Sequence, residues 1–258
     1  MTRIIMSGCS GRMGRMITGL VKDGEGAEIV AGVDVFDDGT LGYPVYKSIE
    51  DVKEEADAII DFSNPSTLDS TLEYSVAKQV PVVLCTTGYS EEQLADIEEA
   101  SKKVAILKSA NMSLGINTIM ELLKTATTVF GGAGFDIEIV EQHHHNKLDA
   151  PSGTALALAD AINEAAEGKY EYIYDRSQKR EKRDAKEIGI SAVRAGSIPG
   201  IHDVIFAGPD EVIEIKHTVY SRAVFGNGAI SAAKFLAGKP AGRYDMKDVI
   251  AEQLTVAK

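Results

Sequence analysis

The stretch "RIIMSGCSGRMGRMITGLV", residues 3–21, decides the fold. Its first half is a short apolar run that ends in glycines, which is typical of a buried strand. Its second half repeats apolar side chains at the spacing of a helix, namely Met13, Met16, Ile17, Leu20 and Val21. The sequence therefore predicts a strand that passes through a glycine loop directly into a helix.

The loop "GCSGRMG" places Gly8, Gly11 and Gly14 between that strand and that helix. Residues without a Cβ let a pyrophosphate approach the backbone, and a helix N-terminus supplies free N–H groups and the positive end of a dipole. The spacing is GxxGxxG rather than GxGxxG, so the loop could also be only a tight strand-to-helix turn. Its context favours a dinucleotide site.

An acidic residue supports the same interpretation. Asp34 ends the second predicted strand, twenty residues after Gly14 (34 − 14 = 20), where a carboxylate accepts hydrogen bonds from the adenine ribose. Val35 follows, so no arginine stands beside Asp34 to receive a 2′-phosphate, although Arg12 and Arg15 could partly serve. We therefore predict a nicotinamide dinucleotide, with NADH favoured over NADPH.

Further strands and helices alternate through the first half of the chain. Strands are predicted over residues 27–34, 57–63, 80–88 and 104–111, and Ser90 with Gln93 forms a capping box that opens a helix over 90–103. This alternation predicts an α/β fold, a Rossmann-like doubly wound parallel sheet. Ligands lie beyond the carboxyl ends of such strands. "CTTG" (85–88) and "SAN" (109–111) are therefore candidates for the nicotinamide pocket, or ordinary loop starts.

The pattern changes after about residue 113. A long amphipathic helix over 113–131 precedes a strand over 135–144 and a helix over 152–166. The segments 187–198 and 202–222, the latter with a turn at Gly208-Pro209-Asp210, carry alternating patterns typical of antiparallel strands. We expect a dinucleotide-binding domain at 1–112, an inserted α+β substrate-binding and tetramerisation domain at 113–222, and a helical tail at 223–258 that returns to the first domain.

Composition excludes several classes of function. The 258 residues carry a net charge of −12, which argues against nucleic acid as a partner, and contain only two cysteines, Cys9 and Cys85, without CxxC spacing. No apolar run reaches the length needed to cross a bilayer, and no signal peptide is recognisable, so we expect a cytoplasmic protein with reduced thiols. The basic run 176–183 is expected to be a solvated, mobile loop.

Three consecutive histidines, His143, His144 and His145, follow the strand over 135–144. Neighbouring strand residues face opposite ways, and no cysteine or second histidine cluster completes a tetrahedral site, so we predict no metal. The histidines could simply be bonded within a polar loop. Lys147 and the helix start Ser152-Gly153-Thr154 favour another interpretation, because a cation beside a helix N-terminus is suited to bind a carboxylate. With a histidine to exchange protons, the loop predicts reduction of a small carboxylated substrate.

The chain resembles the 4-hydroxy-tetrahydrodipicolinate (dihydrodipicolinate) reductase family over essentially its whole length. The motifs that carry the resemblance are "GCSGRMG", "IIDFSNP", "CTTG", "SANMSLGIN", "EQHHHNKLDAPSGTA", "VRAGSIPG" and "SRAVFGNGA". The pattern E-x-H-H-x-x-K-x-D-x-P-S-G-T is specific, unlike the glycine loop. The resemblance implies NAD(P)H-dependent reduction of 4-hydroxy-tetrahydrodipicolinate, with loss of water, to tetrahydrodipicolinate in lysine and diaminopimelate biosynthesis.

The resemblance also implies roles for individual residues. His143 is the expected proton donor and acceptor, Lys147 a proton donor, and His144 a substrate contact, while Gly153 and Thr154 bind a substrate carboxylate. The cofactor site is expected to contain Gly8, Cys9, Ser10, Gly11, Arg12, Met13, Asp34, Cys85, Thr86, Thr87, Ser109, Ala110, Asn111 and Met112. The resemblance further implies a homotetramer, which is typical of the family and is assembled through the inserted domain.

This chain departs from the family pattern in two places. His145 and Asn146 stand where other members often carry a basic residue and another histidine, so we expect neither to take part in the chemistry. Val35 stands where some members place an arginine, which leaves the use of NADPH open. A related dehydrogenase of another amino-acid precursor, a nucleotide-sensing protein without catalysis and a metal-dependent enzyme are the alternative functions.

Overall fold

The computed structural model describes residues 1–256, and the chain separates into two compact units. Met1–Leu114 and the segment from Ala223 onward form the first unit, and Gly115–Arg222 form the second. Within the described residues the strands are β1 (Thr2–Ser7), β2 (Ala27–Val33), β3 (Val45–Tyr46), β4 (Ala58–Asp61), β5 (Val82–Leu84), β6 (Ala105–Lys108), β7 (Asp136–His143), β8 (Glu171–Ile173), β9 (Glu187–Arg194), β10 (Ile201–Ala207), β11 (Val212–Thr218) and β12 (Gly242–Tyr244). The α-helices are α1 (Arg12–Asp23), α2 (Leu68–Lys78), α3 (Glu91–Ser101), α4 (Leu114–Phe130), α5 (Gly153–Ala165), α6 (Ala223–Leu236) and α7 (Met246–Val256).

The first unit is built on one parallel sheet, whose strand order over the described residues is β12-β6-β5-β4-β1-β2-β3. Successive side chains of β1 reach opposite faces of this sheet. Ile4 and Met6 join a core cluster with α1 and α6, while Ile5 joins the cluster formed with α2 and α3. Helices therefore cover both faces, which confirms the predicted doubly wound fold.

The sequence pattern does not predict several short elements of this unit. The helix α2 and the strands β3 and β12 carry too few apolar residues in a regular period to be distinguished from loops. The predicted capping box at Ser90 and Gln93 is confirmed, because each side chain bonds the backbone N–H of the other residue. Among residues 1–256, no helix has the length and apolar character that a membrane span requires.

The second unit contains a mixed sheet with the order β11-β10-β7-β9-β8. The predicted hairpin is confirmed, since β10 and β11 pair antiparallel. The antiparallel expectation for the segment 187–198 is wrong, because β9 pairs parallel to β7 and to β8. The chain between β7 and β9 includes the helix α5, and such a crossover returns the next strand in the same direction.

The strand β7 has one buried and one partly exposed face. Ile137 and Ile139 pack in the core of the unit with residues of α4 and α5. Glu141 and His143 continue the same buried face towards the end of the strand. The alternation that builds the core therefore also carries two ionisable side chains into the interior.

The basic segment 176–183 is a largely exposed loop, as expected from the sequence, but several of its cations are paired with carboxylates. Arg183 bonds Asp136 at 2.7 Å and Glu138 at 2.9 Å, and also donates to the carbonyls of Ile137 and Glu187. Arg176 and Lys179 both pair with the buried carboxylate of Glu187. The cations of this segment attach it to the sheet, and no sequence period signals such pairing.

Removing the Arg183 side chain should destabilise the second unit. Arg183→Ala leaves the half-buried Glu138 carboxylate without its partner, and we expect a loss of roughly 2 kcal/mol or more in the free energy of unfolding. Arg180→Ala, at an exposed neighbouring position, is the control and should change stability by less than about 0.5 kcal/mol. Urea unfolding measures both, and equal stability of the two variants would contradict the anchoring role.

Candidate functional site

The glycine loop joins β1 to α1 at the carboxyl edge of the parallel sheet. Gly8 has a φ of +77°, and a Cβ there would lie 2.5 Å from the carbonyl oxygen of Phe62. A Cβ at Gly14 would lie 2.6 Å from the Cα of Cys9. Packing of the chain itself thus requires Gly8 and Gly14, whereas Gly11 is the helix N-cap and carries no capping side chain.

A cavity of about 310 Å³ opens at this edge. It is lined by Ser7, Gly8, Gly11, Val33, Asp34, Val35, Lys47, Ser48, Ile49, Phe62, Ser63, Asn64, Thr67, Ser70 and Thr71. Of the predicted cofactor residues, the cavity thus brings together Gly8, Gly11 and Asp34. A glycine loop, an open helix start and a carboxylate around one cavity fit the pyrophosphate and adenosine ribose of a dinucleotide.

The Asp34 carboxylate also holds the loop in place. It accepts hydrogen bonds from the backbone N–H groups of Ser10 at 3.0 Å and Phe36 at 3.1 Å. Arg15, considered above for a 2′-phosphate, is bonded to Asp38 at 2.7 Å and to Thr40 at 3.2 Å. Lys47 lines the cavity but was not singled out from the sequence, because the short strand β3 that positions it was not recognised.

The remaining predicted residues of the glycine loop differ in exposure. Arg12 is exposed at the start of α1, and Met13 is half-buried. Cys9 is fully buried, and a Cβ at Gly32 would lie 2.6 Å from its sulfur atom. The thiol of Cys9 is therefore part of the packing between the loop and β2, and only its backbone can face a ligand.

The other predicted cofactor residues follow β5 and β6 along the same sheet edge. Thr86 donates to the buried carboxylate of Asp61 at 2.8 Å, and Ser63 donates to the same group. Thr87 is exposed, and burial raises the pKa of the Cys85 thiol well above its usual value. Asp61 was missed as a site residue, although its place directly after an apolar strand in "IIDFS" is a signal that could have found it.

The segment 109–112 lies against α6. A Cβ at Gly228 would collide with the carbonyl oxygen of Met112, so the helix can pack there only because that position is glycine. Ser109 and Asn111 are half-buried, Ala110 is exposed and Met112 is buried. The tail of the chain therefore packs against the end of this segment at Met112.

In the second unit, the histidine loop is organised by a buried carboxylate. Glu141 is fully buried and accepts hydrogen bonds from His143 Nδ1 at 2.6 Å and from the backbone N–H of Ser152 at 3.0 Å. Arg194 binds both carboxylate oxygens, at 2.7 and 2.8 Å. One carboxylate thus connects the end of β7, the end of β9 and the start of α5.

Ser152 and His202 extend this network. Ser152 Oγ caps α5 by accepting from the backbone N–H of Ala155 at 3.1 Å, so its hydroxyl hydrogen is available to the Nε2 atom of His202 at 2.9 Å. The rings of His143 and His202 meet edge to face with centroids 5.2 Å apart. Glu141, Arg194 and His202 were missed as site residues; Arg194 and His202 come from distant segments that only the sheet register brings to this loop.

Burial determines the protonation of these groups. It lowers the pKa of His143, although the hydrogen bond to Glu141 opposes the shift, and it lowers the pKa of His202 to about 4. Burial raises the pKa of Glu141, but the bonds from Arg194, His143 and Ser152 together bring it below its usual value. Both histidines are therefore neutral and Glu141 is ionised at neutral pH.

The rest of the loop is more exposed. His144 is half-buried, whereas His145 is exposed and donates its backbone N–H to the carbonyl of Gly196 at 3.2 Å. The Nζ atom of Lys147 lies 2.8 Å from the carboxylate of Asp149. The predicted anion-binding positions, the exposed Gly153 and half-buried Thr154, begin the helix α5.

No three histidine, cysteine, aspartate or glutamate side chains among residues 1–256 are grouped in a way that could hold a metal ion. The chemistry available in the second unit is instead that of a buried carboxylate–histidine pair, a lysine and a helix N-terminus. These groups can exchange protons and bind a carboxylate.

The first unit has a nicotinamide-dinucleotide-binding fold, and the chain is an oxidoreductase built on it. Family models described as the N-terminus and the C-terminus of dihydrodipicolinate reductase match residues 2–112 and 115–250. The chain therefore belongs to the dihydrodipicolinate reductase family.

Relatives match along the whole chain. The 4-hydroxy-tetrahydrodipicolinate reductase of Caldanaerobacter subterraneus is 52% identical over 250 residues, covering 97% of this chain and 98% of the relative. The enzyme of the same name from Clostridium tetani is 54% identical over 246 residues, covering 95% and 96%. The solved structure of a dipicolinate-bound dihydrodipicolinate reductase from Paenisporosarcina sp. TG-14 has the same fold, with a TM-score of 0.80 at 24% identity over 97% of this chain and 99% of that one.

The buried His202 makes the stability of the second unit depend on pH. The pKa of His202 is about 4 in the folded chain and 6.5 when unperturbed. The contribution of the neutral ring to the free energy of unfolding is therefore complete above pH 6.5 and is lost as the pH falls from there towards 4. By about pH 5 the loss from this group should reach about 2 kcal/mol. His202→Gln, which keeps an acceptor for Ser152, should remove that part of the dependence.

Urea unfolding at several pH values gives the free energy of unfolding as a function of pH. The effect of His202 is the difference in the slope of this dependence between the variant and the original chain. His145→Gln, at an exposed position, is the matched control. An unchanged slope in His202→Gln would show that His202 is not the group responsible.

Proposed function

We propose that this chain catalyses the NAD(P)H-dependent reduction of 4-hydroxy-tetrahydrodipicolinate, with loss of water, to tetrahydrodipicolinate in lysine and diaminopimelate biosynthesis. Relatives above 50% identity along the whole chain carry the name of this activity. The observation that carries the proposal is the loop in which His143, held by a buried carboxylate, lies four residues from Lys147 and shares that carboxylate with the start of α5.

The first unit is proposed to bind the cofactor. Gly11 and the first turn of α1 would receive the pyrophosphate, and the Asp34 carboxylate would receive the adenosine ribose. When bound, the nicotinamide supplies the hydride for the reduction. Thr86 and Asn111, on loops after neighbouring strands, are the proposed boundaries of its pocket, and the Asp61 carboxylate fixes the position of Thr86.

The second unit is proposed to bind the substrate and to manage its protons. Glu141 can only accept hydrogen bonds, so the Nδ1 atom of His143 carries the proton of the neutral ring and Nε2 is an acceptor. Lys147 is then the group that donates a proton, while Gly153 and Thr154 at the start of α5 bind a carboxylate and His144 contacts the substrate.

Lys147→Ala should lower turnover by about 10²- to 10⁴-fold, the usual effect of losing an acid–base group. The assay couples the chain to the preceding synthase, which produces the unstable substrate, and follows oxidation of NADH. Lys182→Ala, at an exposed position, is the control and should keep normal turnover. Near-normal turnover in Lys147→Ala would refute the role assigned to this lysine.

The same assay tests the proposed function as a whole. A chain that ignores the synthase product and oxidises NADH with another amino-acid precursor is a different dehydrogenase. A chain that binds NADH without turnover of any pathway intermediate is a nucleotide-binding protein.

We further propose that both NADH and NADPH bind, with NADH preferred. The Asp34 carboxylate repels a 2′-phosphate, and Arg15 is already committed to Asp38. Lys47 lines the same cavity, and none of the ion pairs within residues 1–256 uses it. Among the residues that line the cavity, its ammonium group is therefore the cation available to a 2′-phosphate beside Asp34.

Lys47→Ala should weaken binding of NADPH about tenfold and change binding of NADH less than about twofold, because only NADPH carries the phosphate. Calorimetric titration of each cofactor in the absence of substrate gives the two dissociation constants. Lys53→Ala, an exposed lysine outside the cavity, is the charge-matched control. Equal weakening of the binding of both cofactors would contradict the role assigned to Lys47.

The homotetramer that the resemblance implies stays a prediction for this chain.

A further inference from the structure

One group of the proposed substrate site, Lys147, is already engaged by a carboxylate of the chain itself. The Nζ atom of Lys147 lies 2.8 Å from Asp149 Oδ1. The hydrogen bond from Lys147 lowers the pKa of the Asp149 carboxyl. Asp149 thus holds the lysine as an anionic group of a bound substrate would.

The backbone around Asp149 is fixed by hydrogen bonds to buried groups, whereas its side chain is largely exposed. The carbonyl oxygen of Asp149 accepts a hydrogen bond from Arg194 at 2.6 Å, and the backbone N–H of Ser152 is bonded to Glu141. The Asp149 side chain itself is 57% exposed, whereas that of Lys147 is 22% exposed. Rotation of the Asp149 side chain into solvent therefore requires no change in the main chain that carries Lys147 and Gly153.

The two ion pairs of the loop also differ in the free energy needed to separate them. Glu141 and Arg194 are paired in the interior, where separating them would leave a buried charge. Lys147 and Asp149 are paired where water reaches Asp149, and such pairs contribute little to stability. An incoming anion can therefore replace Asp149 while the buried pair stays intact.

We propose that Asp149 is an internal competitor for the substrate. Its carboxylate occupies Lys147 in the free protein and is displaced by a carboxylate of the ligand. This inference rests on the proposed function, since it takes Lys147 as part of the substrate site. It has a consequence for selectivity: a ligand must bring its own negative charge to replace Asp149, so neutral analogues leave the pair of Lys147 and Asp149 intact.

The test compares binding of dipicolinate, a planar dicarboxylate, to the full chain and to Asp149→Asn in the presence of saturating NADH. Asparagine removes the competing charge but keeps the size of the side chain and its ability to accept a hydrogen bond. We expect the variant to bind dipicolinate about tenfold more tightly by calorimetry. Asp210→Asn, in the exposed turn of the hairpin, removes the same charge elsewhere and should bind as the original chain does.

Equal or weaker binding by Asp149→Asn, with a normal melting temperature, would overturn the inference and assign Asp149 a purely structural role. A crystal structure of the unaltered chain with dipicolinate gives an independent answer if the variant does not fold. Separation of Lys147 Nζ from Asp149 supports displacement, and a pair that remains intact beside the bound ligand refutes it.

Turnover in the synthase-coupled assay separates this inference from the proposed function. Normal turnover of the original chain without tighter binding by Asp149→Asn rejects only the competitor role. No turnover together with no binding of dipicolinate by either protein rejects both.

Discussion

The second unit depends on the buried carboxylate of Glu141. Ionised and fully buried, it must be balanced by donors, and it obtains them from Arg194, His143 and the backbone of Ser152. Those donors come from two strands and a helix start, so satisfying one charge aligns three segments of the chain. The base of the polar loop is therefore fixed by hydrogen bonds rather than by apolar packing.

The position of Glu141 follows from the alternation of β7. The residues of this strand that face the core are Ile137, Ile139, Glu141 and His143, two residues apart. A shift of one residue in the register would expose all four and bury the opposite face. The apolar half of the strand thus determines the face on which Glu141 and His143 lie. Packing of the core thereby holds the side chain of His143 in one orientation.

Local patterns of the sequence predict the fold better than they predict the site. The strand–glycine–helix unit, the capping box at Ser90 and the hairpin at residues 208–210 depend on neighbouring residues, and all three are confirmed. The parallel direction of β9 depends on a crossover of more than forty residues, and Arg194 reaches Glu141 only through that pairing. Spacing along the chain carries no information on such contacts, whereas the sheet register determines them.

Charge pairing within the histidine loop determines how this strongly acidic chain can bind an anionic substrate. In the histidine loop Arg194 is neutralised by Glu141, and Lys147 is neutralised by Asp149. The free site therefore presents little net positive charge, and attraction at long range is weak under a total charge of −12. Under the proposed exchange, affinity arises at contact, where the ligand replaces Asp149 at Lys147. Because exchange replaces one anion by another, it favours ligands that carry a negative charge over neutral ones.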